Sequence, residues 1–442
     1  MCDPAARVEL TDLHLADLHQ RARDTGVPRY RMLTRDDLIA AIEERAGTEA
    51  RAGRDEAAEA GFERRSRREE PEADEAPAAD APERVEAEET PDAEEVAEAE
   101  EVTGVLDRMP QGYGFLRLQG LHEAEGDVYV SASQIRRCEL RPGDEVTGPA
   151  RPPRRGERHR ALVRVATVNG RSPEEKRGHF EDLTPAPPHR RLVPPDAAAD
   201  PLVRAIDLLG PLAFGQRVLV LAQPRSGRTT LLRAIGAAVV EGGAQLCVVL
   251  ADERPEEVPQ WERALPDAEI FAATADQEPR EQVREAELAM GHAKRLAEAG
   301  KDVVALIDSL SRLALGYRDS GRVKRMFGAG RELEEEGAGS LTVIATVLDS
   351  DDRGAEVREA LETTENLLLR LDADLAAKGV FPPLVPAKSR ASGEDQLRDP
   401  DELDRARQLR LELGAMDPEE AARTLADRIA ATETNAELLS RL

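Results

Sequence analysis

The sequence predicts a multidomain protein: a small α-helical N-terminal unit, an OB/cold-shock-like β-barrel, and an α/β P-loop domain that ends in a helical tail. Three observations predict it. Five short β-type runs, separated by turns, fall within residues 102–170, the density of strands that closes a small barrel. From 201 to about 390, apolar strands alternate with helical stretches, which implies a parallel sheet with helices on both faces. One of those strands, in Gln216–Ala222, runs into Gln223-Pro-Arg-Ser-Gly-Arg-Thr-Thr230 and a helix expected to open at Thr229. A helix that opens after a tight loop aims unpaired N–H groups at one spot, where a phosphate binds.

The elements follow in chain order. Residues 1–47 read as the helical unit: Leu10, Leu13, Leu15 and Leu18 share one helix, Gly26-Val27-Pro28 breaks it, and Thr34 caps a second. Residues 48–101 read as an acidic linker, because 69–101 hold sixteen acids against Arg84 alone, with prolines and almost no large apolar side chains. The barrel runs are Val102–Leu106, Gly114–Leu118, Asp127–Val130, Glu145–Gly148 and Ala161–Val168. A connector spans 171–200. In the P-loop domain, 201–442, strands are expected at 217–222, 245–251, 268–272, 302–307, 340–347 and 366–371, with a long amphipathic helix near 279–299.

The net charge of −27 conceals two opposite regions, since 136–171 hold ten arginines against four acids. A basic module points to a polyanion. Cys2, Cys138 and Cys247 form no spaced pair, so neither a disulfide framework nor a zinc site is expected. No apolar run approaches the ~18 residues of a membrane span, and the start of the chain lacks a signal-peptide pattern. Both point to the cytoplasm.

The loop departs from a standard P-loop at two positions: Arg228 stands at the phosphate lysine and Ala222 at the first glycine. A nucleotide site also needs carboxylates to hold Mg²⁺ and orient water. Val303–Ile307 ends in Asp308, which fits the magnesium side, and Cys247–Ala251 ends in Asp252-Glu253-Arg254, where Glu253 suits the water. Parallel strands deliver such ends to one sheet edge. Only six of the 61 basic residues are lysine, so Arg228 reads equally as compositional drift or as a device that slows hydrolysis. In the barrel, Gln111–Arg117 alternates so that Tyr113, Phe115 and Arg117 share a face. Tyr113, Phe115 and Tyr129 would stack on unpaired bases while Arg117 holds a phosphate. Arg154, Arg155, Arg158 and Arg160 lie close by in sequence.

The order of these parts, with Gly112–Arg117, Asp127–Ser131, Ser133–Arg137, Phe180–Pro185, Asp252–Val258, Asp308–Ala314, Phe327–Arg331 and Val380–Pro382, resembles the Rho family of bacterial transcription termination factors. The resemblance implies a homo-hexameric ring of RecA-like domains that loads on single-stranded nascent RNA and uses ATP and Mg²⁺ to release the transcript from RNA polymerase. It implies RNA contacts at Gln111, Gly112, Tyr113, Gly114, Phe115, Leu116, Arg117, Asp127, Val128, Tyr129, Glu157, Arg158 and His159. It implies ATP contacts at Ala213, Phe214, Gly215, Gln216, Arg217, Val218, Arg225, Ser226, Gly227, Arg228, Thr229, Thr230 and Arg254, with Phe381 on the adenine. Glu253 and Asp308 would be catalytic, Thr229 and Asp308 metal-side, and Arg390 the arginine reaching in from a neighbouring subunit. His159 stands where the family has tyrosine, Glu362 where a channel loop carries lysine, and the channel loop around 317–323 is shortened. These departures leave a second reading open, a non-translocating regulator that binds RNA and nucleotide. A third, a protein-translocating or rotary ATPase, leaves the aromatic barrel without a task.

Overall fold

The computed structural model describes residue 39 and residues 99–194, 200–317, 320–350 and 352–442. The expected N-terminal helical unit, and the acidic linker up to 98, lie outside them. Everything from 99 onward belongs to one compact unit, 84–442.

The barrel has strands β1 (Glu100–Arg108), β2 (Gly114–Arg117), β3 (Val128–Val130), β4 (Glu145–Arg151), β5 (Arg160–Leu162) and β6 (Thr167–Val168). Their order is β1-β2-β3-β5-β4, and β1 pairs with β4 to close the ring. Alternation drives the closure: Leu106, Leu116, Val128, Val130, Val146 and Leu162 point inward and are buried together. Between β3 and β4 the helix Ala132–Arg137 starts with a capping box, Ser131 and Gln134 satisfying each other's backbone N–H groups. Two expectations need correction. The run expected as one strand at 161–168 is two, β5 and β6; between them the chain passes so close to Gly148 that a Cβ there would lie 2.2 Å from the Arg164 carbonyl. β1 begins at Glu100, inside the stretch assigned to the linker, because Glu100 and Glu101 pair with Ala150 and Pro149.

The second part is a sheet of β7 (Pro185–Ala186), β8 (Arg217–Ala222), β9 (Gln245–Glu253), β10 (Glu269–Thr274), β11 (Asp302–Asp308), β12 (Arg331–Leu333), β13 (Ser340–Leu348), β14 (Leu367–Arg370) and β15 (Arg390–Ala391). The main path runs β10-β9-β11-β13-β8-β14-β15. Its first six strands are parallel and match the six expected ones. Parity along β8 assigns the two faces. Val218, Val220 and Ala222 enter the core formed with helices Pro201–Leu209, Arg228–Glu241 and the C-terminal helices. Leu219 and Leu221 enter the other core, with helix Pro279–Glu298.

The barrel rests along helix Pro279–Glu298. Gly143 in the barrel approaches Gly291 so closely that a Cβ would lie 2.4 Å from the Gly291 carbonyl carbon. His292 Nδ1 donates to the Gly143 carbonyl at 2.9 Å, Arg141 pairs with Glu298 at 2.7 Å, and Arg284 pairs with Asp107 at 2.5 Å.

Candidate nucleotide site and nucleic-acid face

Helix Arg228–Glu241 opens one residue earlier than expected, with Gly227 as its N-cap at φ +81°. No side chain caps it, so its first N–H groups are left for a ligand. Gly227 sits against Pro383, whose Cγ would lie 3.5 Å from an added Cβ. That contact, with Gln223 accepting from the Ala373 N–H at 3.1 Å, sets the 380–385 segment beside the loop, and Phe381 there is half exposed. Arg225 is exposed, Ser226 buried, Thr229 half-buried and Thr230 exposed.

β9 and β11 bring Glu253 and Asp308 to this edge, and both meet Arg228. Its Nε lies 3.1 Å from Asp308 Oδ1 and its Nη2 3.6 Å from Glu253 Oε2. The arginine side chain is only 12% exposed. Its Nε makes no directed hydrogen bond, so the contact with Asp308 is one of charge. Asp308 is fully buried; the Thr346 hydroxyl donates to its Oδ1 at 2.8 Å, and its Oδ2 has no partner. Burial raises the Asp308 carboxyl above the usual aspartate range, against the opposing pull of Arg228 and Thr346. Glu253 is also within 3.5 Å of Arg312, which donates to the Asp252 carbonyl at 2.6 Å. Arg254 follows, exposed.

Two residues were not singled out from sequence. Arg312 lies in helix Leu310–Gly316, which follows Asp308, and it is the fold that turns it onto Glu253. Thr346 carries no signal beyond its place on β13, the strand beside β11.

One expectation for this site fails. Ala213, Phe214, Gly215 and Gln216 precede β8 and Arg217 and Val218 open it, about 13 Å of strand or more before Ala222, so within this chain they do not share a pocket with the loop. Their polar groups are spent internally: Gln216 bonds Ala213 N–H and the Pro211 carbonyl, and Gly215 N–H donates to Thr342. Arg217 donates to the Thr364 and Gly330 carbonyls at 2.6 and 2.7 Å. Arg217 thereby ties down the loop that carries exposed Glu362. Arg390 sits on β15, four strand spacings (about 19 Å) from β11, and pairs with Glu365 at 2.5 Å; within its own chain it does not reach the carboxylates. Of the shortened 317–323 stretch, Tyr317 is buried and donates to Glu287 at 3.0 Å, helix Ser320–Phe327 follows, and 318–319 lie outside the described residues.

On the barrel, Tyr113, Phe115, Tyr129 and His159 form a half-buried aromatic cluster. Ring centroids are 5.9 Å apart for Tyr113–Phe115, 5.7 Å for Tyr113–Tyr129, 6.0 Å for Phe115–Tyr129 and 5.0 Å for Phe115–His159. Gly112 takes φ +98°, and a Cβ on Gly114 would lie 2.8 Å from the Asp107 carbonyl oxygen, so the strand needs glycine at both places to bring the rings together. Gln111 and Arg158 are exposed. Glu157 is held by Arg151 at 2.7 Å, which pulls its carboxyl below the usual range. Burial raises the Tyr129 phenol.

Here too the alternation misleads. Arg117 is 3% exposed, pairs with Asp107 at 2.5 Å and with Asp127, and lies under the Phe115 ring at 5.6 Å. It is a buried strut rather than a phosphate hook. Leu116 and Val128 face the barrel core and Asp127 is buried, so none of the three offers a side chain to RNA.

Residues 102–174 match the family model for the Rho termination factor RNA-binding domain, and 203–332 match that for the nucleotide-binding domain of the ATP synthase alpha/beta family. The chain is 36% identical over 364 residues to transcription termination factor Rho of Rhodopirellula baltica, covering 76% of this chain and 70% of that protein. It is 37% identical over 367 residues to Rho of Aquifex aeolicus, covering 77% and 84%. With Rho of Pseudomonas fluorescens biotype C it shares 40% identity over 362 residues, covering 76% and 86%. On this similarity, which runs through both the barrel and the sheet, the chain belongs to the transcription termination factor Rho family.

Proposed function

We propose that this chain is an RNA-dependent ATPase of transcription termination. It binds nascent single-stranded RNA on the barrel and couples ATP hydrolysis to release of the transcript from RNA polymerase. The observation that carries the reading is the meeting of the uncapped Gly227 helix end with Glu253 and Asp308 at one sheet edge, in a chain whose barrel presents four clustered rings. Backbone N–H groups of 225–230 cradle the phosphates, Phe381 lies against the base, Arg254 meets the phosphates from the β9 side, and Glu253 orients the attacking water. Asp308 fits a Mg²⁺ site, because its buried Oδ2 lacks a partner, with the Thr229 hydroxyl as second donor. When bound, Mg²⁺ would neutralise charge on the transferring phosphoryl group. Tyr113, Phe115, Tyr129 and His159 stack successive bases. Six copies form a ring in the cytoplasm, and Arg390, 60% exposed, faces the neighbouring copy's nucleotide.

A second reading, a regulator that binds RNA and nucleotide without moving along RNA, is favoured by Glu362, an exposed anion where a channel loop would meet phosphate. One experiment separates them: ATP turnover with and without pyrimidine-rich RNA, for the native chain and for Glu253→Gln. Turnover that RNA stimulates and Glu253→Gln abolishes supports the first reading. Binding of RNA and nucleotide with no turnover establishes the second. Turnover indifferent to RNA overturns both.

A further inference from the structure

Three acids and two guanidinium groups share the nucleotide edge. Arg228 bridges Asp308 and Glu253 at 3.1 and 3.6 Å, and Arg312 lies 3.5 Å from both Glu253 and the more exposed Asp252. Arg228 is thus the cation set against the two inner acids, and Arg312 is shared with the outer one. A lysine ammonium is a compact point charge on a flexible stem, whereas the guanidinium is a planar fork with five N–H donors. It can keep one edge on the carboxylates and turn the other toward a phosphate.

In a site with unpaired carboxylates, a divalent cation has two tasks when a triphosphate binds. It screens the acids from the phosphates, and it bridges phosphate oxygens. At this edge protein cations already face the two inner acids, Asp308 and Glu253.

Resting on the nucleotide-binding reading above, we propose that Arg228 stands in for the metal's screening charge, so that the site binds ATP with little dependence on Mg²⁺. Magnesium is then needed for turnover and not for occupancy, and it must compete with Arg228 for Asp308.

The test is equilibrium titration of the full chain with a fluorescent N-methylanthraniloyl-ATP, in excess Mg²⁺ and in EDTA, read as binding and not as hydrolysis. The native chain is expected to show dissociation constants that agree within about threefold, and Arg228→Lys to show a loss of more than about tenfold on removing Mg²⁺. A native chain that itself loses tenfold or more overturns the inference while leaving nucleotide binding intact. Failure of the native chain to bind in either buffer overturns the nucleotide reading instead. If the native chain is insensitive to Mg²⁺ and Arg228→Lys is equally so, the screening charge is not that of Arg228, and the assignment falls. The native measurement needs no variant to fold, and a far-ultraviolet dichroism melt of Arg228→Lys qualifies the comparison.

Discussion

Arg117 separates two accounts of the barrel most sharply. Replacing it with methionine keeps much of the apolar stem and removes the charge. Asp107 retains Arg284 at 2.5 Å, but Asp127 keeps only the Ala124 N–H on its Oδ2, and its Oδ1 already lacks a partner. Asp127 is 1% exposed, so the substitution strands a buried carboxylate. Breaking a buried pair from one side costs about 3–5 kcal/mol. In a unit larger than about 150 residues each kcal/mol moves the midpoint by roughly 2–4 °C. The thermal midpoint of the chain should therefore fall by about 6 °C or more. Asp127→Asn in the same chain should recover part of the loss, because the stranded charge is gone. The salt dependence of RNA binding should be unchanged by Arg117→Met, whereas Arg155→Ala, at an exposed position, should lower its slope by about 1 with no change in melting. If Arg117→Met melted with the native chain while its RNA affinity and salt slope dropped, the strut would be wrong and the phosphate hook right.

Two further outcomes follow from the packing. His292 has an acceptor at each ring nitrogen, with Glu269 at 3.2 Å and the Gly143 carbonyl at 2.9 Å. Burial works to lower its pKa, but Glu269 and the carbonyl more than reverse this and raise it. Its stabilisation is thus complete below the unfolded histidine value and is lost as pH rises through the higher folded value. Chemical-denaturation midpoints of the native chain should decline more steeply than those of His292→Gln across that neutral-to-alkaline window. Gly215 takes φ +74°, and a Cβ there would lie 2.2 Å from Glu332 N. Gly215→Ala should cost about 2 kcal/mol or more, read as a lowered urea midpoint.

The fold was legible because both architectures repeat one pattern: alternation in the barrel strands, and apolar runs split by helices in the sheet. The nucleotide edge was legible for the same reason, since Glu253 and Asp308 each end an apolar strand. Side-chain partners were less so. Tyr113, Phe115 and Arg117 share parity, yet Arg117 is opposite Val105, two residues from Asp107, and Asp127 immediately precedes β3 on its other side. Three charges amid apolar strands were the available signal, and they pointed inward. The 213–218 group shows another limit: the resemblance implied ATP contacts there, yet a strand separates these residues from the loop. Arg228 was legible as an oddity but not as a bridge; its partners come from strands that start 17 and 74 residues later, which only the sheet order brings together.

Helix Pro279–Glu298 links the two sites. It meets the barrel at Arg284, Gly291, His292 and Glu298, contacts spread over fourteen residues, or about 21 Å of helix. The two ends differ in kind. At the first, Arg284 joins Asp107 and through it Arg117, directly beneath the Phe115 ring. At the second, Glu298 holds Arg141 and the Phe180 N–H, and β11 starts four residues on and ends in Asp308. A barrel pinned at one point could pivot freely about it, but one pinned at both ends of a packed helix moves only by breaking an ion pair or by carrying the helix along. The glycine contact between the pins allows no gap to take up such movement. The contacts therefore run without a break from the aromatic cluster on the barrel to the strand that ends in Asp308.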